Sequence, residues 1–361
     1  MVRKLERKGN EMKKILFVAS ECVPFIKTGG LADVVGSLPK CFDKKEYDVR
    51  VIIPKYACMA DKYTKNLRYI TNFHIQMNTG SQYVGLFETE YDGIKIYFID
   101  SEYYFGGMTP YGDMGYDIPK FAFFSKAVLS SLPVLDFRPD ILHCHDWQTG
   151  LIPVLLKDIY YGSEFYRGIK TIMTIHNLKF QGVWNIDYVR ELSGLMPYHF
   201  TSDKLEAYGD ANFLKGGIVY ADKVTTVSET YANEIKESFY GEGLDGVLRS
   251  RDNDLIGICN GIDYDEYNPS TDKYLKYKFD SDEHLKNVFL SHFLTIYEYF
   301  QYSNKADVPS IFGNHFLHSS VSGNMINKIV PIIIAQITNT NHAKIESKQE
   351  LSSDSFIVKP H

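Results

Sequence analysis

The sequence predicts an α/β protein built on a Rossmann-like, doubly wound parallel sheet, followed by a C-terminal tail of different character. Short apolar runs recur between residues 14 and 259, and segments compatible with helices separate most of them. This alternation is typical of βαβ units, whose ligands bind at the carboxyl ends of the strands. A glycine-rich loop also follows the first apolar run directly, as in many nucleotide-binding folds.

The predicted strands are short, bounded apolar runs, as expected for strands that are buried on both faces. They are residues 14–19, 49–53, 94–99, 141–144, 171–175, 223–227 and 255–259. The predicted helices are residues 31–40, 118–132, 151–160, 212–220 and 229–237. A β-rich insertion at residues 72–100 turns at Asp92-Gly93, and the Gly- and Tyr-rich residues 103–116 are predicted to form a surface loop.

Composition excludes several classes of protein. The 361 residues, 44% hydrophobic and 23% charged, suit a globular protein of two ordinary domains or of one large domain with extensions. The net charge of −6 argues against general affinity for nucleic acid or for an anionic membrane. Five cysteines without a C-x-x-C pair fit a reducing cytoplasm, and neither a signal peptide nor an apolar run of about 18 residues is present. An aromatic content of 14% suits either sugar binding or an aromatic core. We therefore expect a cytoplasmic protein.

The loop after the first strand is predicted to bind an anion. Gly29 and Gly30 allow backbone conformations and a close ligand approach that a Cβ would block, while Lys27 adds a positive charge. The following helix would point its N-terminal N–H groups at a phosphate. The alternative is a structural turn with a solvated lysine. No Walker pattern and no G-x-G-x-x-G follows the strand, which disfavours P-loop NTPases and typical dinucleotide-binding enzymes.

Four polar or aromatic residues mark the end of the strand at 141–144. His143 and His145 share one face of a strand, yet no third ligand stands at a recognisable spacing, so we predict no metal site. Asp146 and Trp147 suit a sugar better, because a carboxylate accepts hydrogen bonds from hydroxyls and an indole packs on a sugar ring. The alternative is an N-cap aspartate before a buried tryptophan.

Two further strands also end in polar residues. His176-Asn177 follows residues 171–175, and Asn260-Gly261 follows residues 255–259. One alternative is that His176 is a core histidine whose hydrogen bonds are satisfied within the protein. The other is that Asn260-Gly261 only forms a turn. Ser228 is a predicted N-cap. Because several polar groups converge on one sheet edge, we expect a ligand site there.

Taken together and in this order, these motifs resemble those of the bacterial glycogen synthases and plant starch synthases, retaining glycosyltransferases with the two-domain GT-B fold. The matching segments are residues 27–33 (KTGGLAD), 145–147 (HDW), 176–177 (HN) and 260–263 (NGID), within a similarity that covers roughly residues 13–287. The resemblance implies transfer of glucose from ADP-glucose to the non-reducing end of an α-1,4-glucan such as glycogen, without metal or cofactor.

The resemblance also implies roles for individual residues. His176 and Asp146 would be catalytic: the His176 carbonyl would lie near the anomeric carbon with its ring on a sugar hydroxyl, and Asp146 would position the donor sugar or the acceptor hydroxyl. The substrate-binding residues would be Lys27, Gly29, Gly30, Asp33, Tyr111, Trp147, Asn177 and Asn260.

The resemblance stops near residue 287. The family's second domain supplies an Arg and a Lys for the phosphates, and no such segment and no glycine-rich second α/β domain follows here. We expect a disordered extension at residues 1–11, the N-terminal domain at 13–265, the start of a linker at 266–287, and an aberrant, poorly ordered or helical tail at 288–361 from a truncated or frameshifted gene. The predicted function is a glycogen synthase polypeptide that is inactive alone. The alternatives are a non-catalytic glucan- or nucleotide-binding remnant and a GT-B transferase for another nucleotide sugar.

Overall fold

A computed structural model describes residues 12–261, 263 and 268–274. The expectations for residues 1–11 and 288–361, and most of the expected linker, lie outside the described residues. The chain divides into two units after Gly261, and every element named below belongs to the first unit.

A central sheet dominates this unit. The described strands are β1 (Lys13–Val18), β2 (Tyr47–Pro54), β3 (Arg68–Met77), β4 (Gly80–Tyr91), β5 (Ile94–Asp100), β6 (Ile141–His145), β7 (Lys170–Ile175), β8 (Val183–Trp184), β9 (Glu206–Ala207), β10 (Asp210–Asn212), β11 (Lys223–Thr226) and β12 (Leu255–Gly257). Nine of them form one sheet in the order β12-β11-β7-β6-β1-β2-β5-β4-β3. Pairing is parallel from β12 to β5, and β4 and β3 add antiparallel strands at one edge. The predicted fold class is therefore confirmed.

Burial of apolar side chains explains the positions of the strands. Leu16, Phe17 and Val18 in β1 and Ile52 and Ile53 in β2 have no exposed surface. Strands covered on both faces need such continuous apolar runs, which is why all seven predicted strands lie within two residues of the observed ones.

Helices cover the sheet, and several begin at side-chain caps. The described α-helices are α1 (Gly30–Ser37), α2 (Asp61–Thr64), α3 (Glu102–Phe105), α4 (Met114–Val134), α5 (Leu151–Lys157), α6 (Ile186–Ser193), α7 (Phe213–Tyr220), α8 (Glu229–Glu234) and α9 (Asp245–Ser250). Ser228 accepts a hydrogen bond from the Tyr231 amide at the start of α8, so the predicted N-cap is confirmed. No helix in this described set is long and apolar enough to cross a membrane.

Within residues 72–116, the structure confirms the predicted β-rich insertion and contradicts part of the predicted surface loop. The β-rich insertion is confirmed, with φ of 51° at Asp92 and 71° at Gly93 in its turn, and its strands extend the main sheet. The predicted surface loop at residues 103–116 is wrong at both ends, because residues 103–105 belong to α3 and residues 114–116 belong to α4. Tyr104 and Phe105 belong to α3 and are 3% and 2% exposed, and the Tyr104 ring stacks on Phe123 of α4 at 4.1 Å. Aromatic burial therefore overrides the loop-like composition of this segment.

Candidate active site

The carboxyl ends of three adjacent parallel strands bring the predicted polar residues together. In the register of the sheet, Val18 of β1 pairs with Cys144 of β6, which pairs with Met173 of β7. Residues that directly follow these strands therefore meet at one edge. These residues are Ser20 and Glu21 after β1, Asp146 after β6, and His176 and Asn177 after β7.

Asp146 fixes the chain turn that follows β7. Its Oδ1 accepts hydrogen bonds from the backbone N–H groups of His176 at 2.7 Å and Asn177 at 3.4 Å. Its own backbone has φ of 54°, a left-handed value that is uncommon outside glycine. The side chain makes no cap bond to the 3-10 turn Trp147–Thr149 that follows it. Asp146 therefore stands at the N-cap position, as the alternative expected, but its side chain does not cap the turn.

The environment of Asp146 places its titration near neutral pH. Burial, opposed by the two backbone N–H donors and aided by the negative charge of Glu21, raises the pKa of this carboxyl to about 7. Carboxyl groups with such raised pKa values are a common feature of active sites, because they can hold or release a proton near pH 7.

Three histidines lie behind the turn. The predicted shared face of His143 and His145 is confirmed, with ring centroids 4.3 Å apart. Nδ1 of His145 lies 2.9 Å from Nε2 of His176, and Nε2 of His143 lies 2.6 Å from Oγ1 of Thr174. Burial lowers the pKa of His143 to about 3 and of His176 to about 4, and that of His145 well below its usual value. All three rings are therefore neutral at pH 7. The described residues hold no cluster of three His, Cys, Asp or Glu side chains arranged for a metal.

Glu21 is a site residue that sequence reasoning missed. Its side chain is 3% exposed, and Oε1 accepts hydrogen bonds from the Thr28 hydroxyl at 2.7 Å and from the Tyr111 hydroxyl at 2.5 Å, while Oε2 accepts one from the Thr28 backbone N–H. Tyr111 also bonds to Ser20 at 2.8 Å. Burial and Glu21 hold the pKa of Tyr111 well above its ordinary value. Glu21 thus ties the glycine loop to the Tyr111 segment; its position three residues beyond the end of β1 was the available signal.

The glycine loop leaves the start of α1 open. Gly29 has φ of −151°, and neither Gly29 nor Gly30 is left-handed, so the predicted conformational reason for these glycines is wrong. A Cβ on either glycine would meet no atom of the protein within 4 Å, which leaves close approach of a ligand as the remaining reason. Lys27 Nζ lies 2.6 Å from Asp33 Oδ1, with side chains 43% and 32% exposed. The predicted cation and its acidic partner therefore flank the N-terminus of this helix.

Trp147 lies in the core beneath the turn. The residue is 3% exposed, and its ring packs against Phe121 with centroids 5.1 Å apart and against Gly182, where an added Cβ would lie 2.2 Å from the indole. Because protein covers the indole, it supports the Asp146 turn and offers no face for a sugar. The alternative of a buried tryptophan agrees with this placement.

The two predicted asparagines are both exposed but differ in their links to the other site residues. The Asn177 backbone is held by Asp146, and its Oδ1 accepts a hydrogen bond from the Lys179 N–H at 3.1 Å. Asn260 lies three residues beyond the end of β12, and no hydrogen bond within the described residues joins it to Asp146 or His176. The structure thus gathers most of the predicted residues and leaves Asn260 unconnected to them.

A Rossmann-like sheet with a buried carboxyl group, neutral histidines and an open helix N-terminus at its carboxyl edge defines an α/β protein suited to an anionic, hydroxyl-rich ligand. The family model for the starch synthase catalytic domain matches residues 14–250. The chain therefore belongs to this family, which confirms the resemblance.

Curated relatives and a solved structure agree. The chain is 66% identical over 262 residues to a glycogen synthase of Lachnospira eligens, covering 73% of this chain and 55% of that protein. It is 60% identical over 270 residues to one of Lachnoclostridium phytofermentans, covering 75% and 56%. The catalytic domain of starch synthase IV from Arabidopsis thaliana, bound to ADP and acarbose, matches with a TM-score of 0.69 and 30% identity, covering 78% of this chain and 59% of that one. The chain spans about half the length of these curated relatives.

Proposed function

We propose that residues 12–261 form one wall of the active site of a glycogen synthase that transfers glucose from ADP-glucose to the non-reducing end of an α-1,4-glucan, with retention of configuration. The observation that carries the proposal is the Asp146 carboxylate, which holds the backbone N–H groups of both His176 and Asn177. Three motif residues from two strand ends therefore act as one unit. Membership of the starch synthase family and the glycogen synthase relatives support the choice of reaction.

The N-terminus of α1 would receive the diphosphate of the donor. The backbone at Gly29 and Gly30 has open space on its Cβ side, and Lys27 supplies a cation beside it. Negative charge grows on the departing diphosphate as the glycosidic bond breaks, and fixed N–H dipoles and cations stabilise such charge. Asp33, paired with Lys27, would hold the lysine beside the helix until the donor binds.

His176, Asn177 and Asp146 would surround the transferred glucose. The neutral His176 ring would exchange a hydrogen bond with a sugar hydroxyl, and its carbonyl would face the anomeric carbon. Asp146, with a pKa of about 7, would position the donor sugar or the acceptor hydroxyl through the turn that it holds. Asn260 would add a further sugar contact. The Tyr111 hydroxyl, already bonded to Ser20 and Glu21, would contact the sugar less directly.

A second candidate function is binding of nucleotide or glucan without transfer. The observation that favours it is the distribution of arginine, since none follows Arg251 in the sequence, whereas the resemblance implies an Arg and a Lys on the opposite wall of the cleft. We place the protein in the cytoplasm. We assign residues 13–265 to the N-terminal domain and residues 266–287 to the start of a linker. On this assignment, Lys27 is the cation that the described residues place beside the diphosphate, and transfer by residues 12–261 without the opposite wall should be slow or absent.

Two measurements on the purified chain test these functions. Transfer from radiolabelled ADP-glucose to glycogen is expected to be little or none, and calorimetry is expected to detect ADP. ADP binding should weaken in Lys27→Ala but not in the control Lys65→Ala, whose exposed side chain pairs with Asp61. Turnover equal to that of the L. eligens enzyme would contradict the expected inactivity. Absence of binding to both ADP and glycogen would contradict both functions.

A further inference from the structure

The rings of His145 and His176 share a hydrogen bond in which the positions of the heavy atoms leave the donor open. Nδ1 of His145 and Nε2 of His176 are 2.9 Å apart. A neutral imidazole carries one proton, so one of these two nitrogens donates and the other accepts. Because burial lowers the pKa of both rings, neither is a cation at pH 7.

The surroundings of His145 decide between the two arrangements. If His176 donates, His145 must carry its own proton on Nε2, which is buried without a hydrogen-bond partner. A buried N–H group without an acceptor is rare in folded proteins. If His145 donates from Nδ1, its Nε2 is a bare nitrogen in a ring that stacks on Phe17, with ring centroids 5.5 Å apart. No buried N–H group of the His145 ring then lacks an acceptor. The second arrangement is therefore favoured.

We propose that His145 is a positioning residue for the transfer reaction: its Nδ1–H donates to Nε2 of His176 and thereby fixes the proton of His176 on Nδ1. The identity of the sugar that this proton meets rests on the proposed function, whereas the tautomer does not. Nδ1 of His176 makes no hydrogen bond within the described residues, so it is available as a donor to a hydroxyl group of a ligand. His145 itself has no exposed surface and cannot touch that ligand.

Two consecutive residues, His145 and Asp146, hold the side chain and the backbone of His176. His145 holds the ring and Asp146 holds the backbone N–H at 2.7 Å. The His145 ring also stacks on the ring of His143, with centroids 4.3 Å apart, and its carbonyl accepts a hydrogen bond from the Thr149 hydroxyl at 2.9 Å. This double attachment orients the ring and the carbonyl of His176 together, which is the arrangement that a preorganised site requires.

The tautomer can be read directly by nitrogen NMR. The full chain is labelled with ¹⁵N-histidine, its ring nitrogens are observed at pH 7 through their couplings to ring protons, and single His→Gln variants assign the signals. We expect protonated Nδ1 and bare Nε2 in both His145 and His176. A protonated Nε2 in His176 would overturn the proposal, whether or not the chain binds ADP-glucose. Failure of the chain to bind ADP-glucose would contradict the proposed function alone.

Two variants test whether His145 sets this tautomer. His145→Leu removes the donor, and the Nδ1–H form of His176 should lose its predominance. His143→Gln is the matched control, because His143 hydrogen-bonds to Thr174 and not to His176, and it should leave the His176 signals in place. An unchanged tautomer in His145→Leu, or an equal change in both variants, would contradict the positioning role. The wild-type spectrum remains decisive if His145→Leu does not fold.

Discussion

Gly182 allows the buried indole of Trp147 to support the Asp146 turn, so Gly182→Ala should be costly. Gly182 has φ of +65°, and an added Cβ would lie 2.2 Å from Cε3 and 2.8 Å from Cδ2 of Trp147. The indole cannot retreat easily, because Phe121 packs against it at 5.1 Å and Phe213 lies at 6.2 Å. The substitution therefore combines backbone strain with overpacking in the core.

The two contributions can be separated with a matched variant. A left-handed backbone costs a residue with a Cβ about 1–2 kcal/mol, and overpacking a core costs about 1–3 kcal/mol. Gly182→Ala should therefore lower the free energy of unfolding by about 2–5 kcal/mol. Gly209 has φ of +91°, but its added Cβ would meet nothing within 4 Å, so Gly209→Ala should lose only the backbone contribution. The difference between the two variants measures the contact with Trp147.

Urea unfolding of the two variants and the wild type provides the assay. Fluorescence reports on this region directly, because the sequence has only two tryptophans, Trp147 and Trp184, and far-UV circular dichroism follows the whole fold. We expect Gly182→Ala to be less stable than Gly209→Ala by about 1–3 kcal/mol. Equal free energies of unfolding would refute the claim that the indole is a fixed support.

Three further substitutions test other contacts. The pKa of Asp146 is about 7 in the folded chain, whereas the ordinary pKa of an aspartate is 3.8. The protonated form therefore stabilises the fold in full below pH 3.8, and this stabilisation is lost as the pH rises through about 7. Asp146→Asn does not titrate and so lacks this loss of stability. Its free energy of unfolding in urea, relative to that of the wild type, should rise by up to about 4 kcal/mol between pH 4 and pH 8. A difference that stays constant with pH would contradict the raised pKa of Asp146. Tyr111→Phe breaks the bond to Glu21 and should cost about 1–2 kcal/mol, whereas the exposed control Tyr103→Phe should cost under about 0.5. The side chains of Lys120 and Asp117 are 2% and 1% exposed and form an ion pair at 2.6 Å. Lys120→Met leaves Asp117 as a buried charge without its ion-pair partner, and should lower the free energy of unfolding, measured with heat or urea, by about 3–5 kcal/mol. Lys65→Met, which breaks an exposed pair with Asp61, should cost under about 1 kcal/mol, and equal losses would refute the role of burial.

The sheet was predictable because each strand carries its own local signal. An apolar run such as Ile141–His145 is needed wherever a strand is covered on both faces, and the parallel order places the residues after it at a known edge. The convergence of Asp146, His176 and Asn177 at this edge was therefore predictable from the sequence. Tyr104 and Phe105 were misread because their burial depends on contacts with α4, which lies later in the chain.

Other parts of the site depend on three-dimensional geometry that the sequence does not encode locally. Glu21 stands 90 positions from Tyr111, and the bond between them follows from the path of both loops. The contact of His145 with His176 crosses from β6 to β7, and the orientation of the Trp147 ring depends on Gly182. These relationships arise from packing, so sequence patterns indicated the residues but not their partners.

The most direct test of the proposed function is transfer activity in a hybrid protein. Residues 12–261 would replace the matching segment of the L. eligens glycogen synthase, which is 66% identical over 262 residues and contributes the remainder of its own chain to the hybrid. Incorporation of glucose from ADP-glucose into glycogen is measured for the hybrid, for His176→Ala within it, and for the control Tyr103→Phe. We predict activity in the hybrid and in the control, and its loss in His176→Ala. An inactive but folded hybrid, or full activity in His176→Ala, would contradict the proposal that this site performs glucosyl transfer.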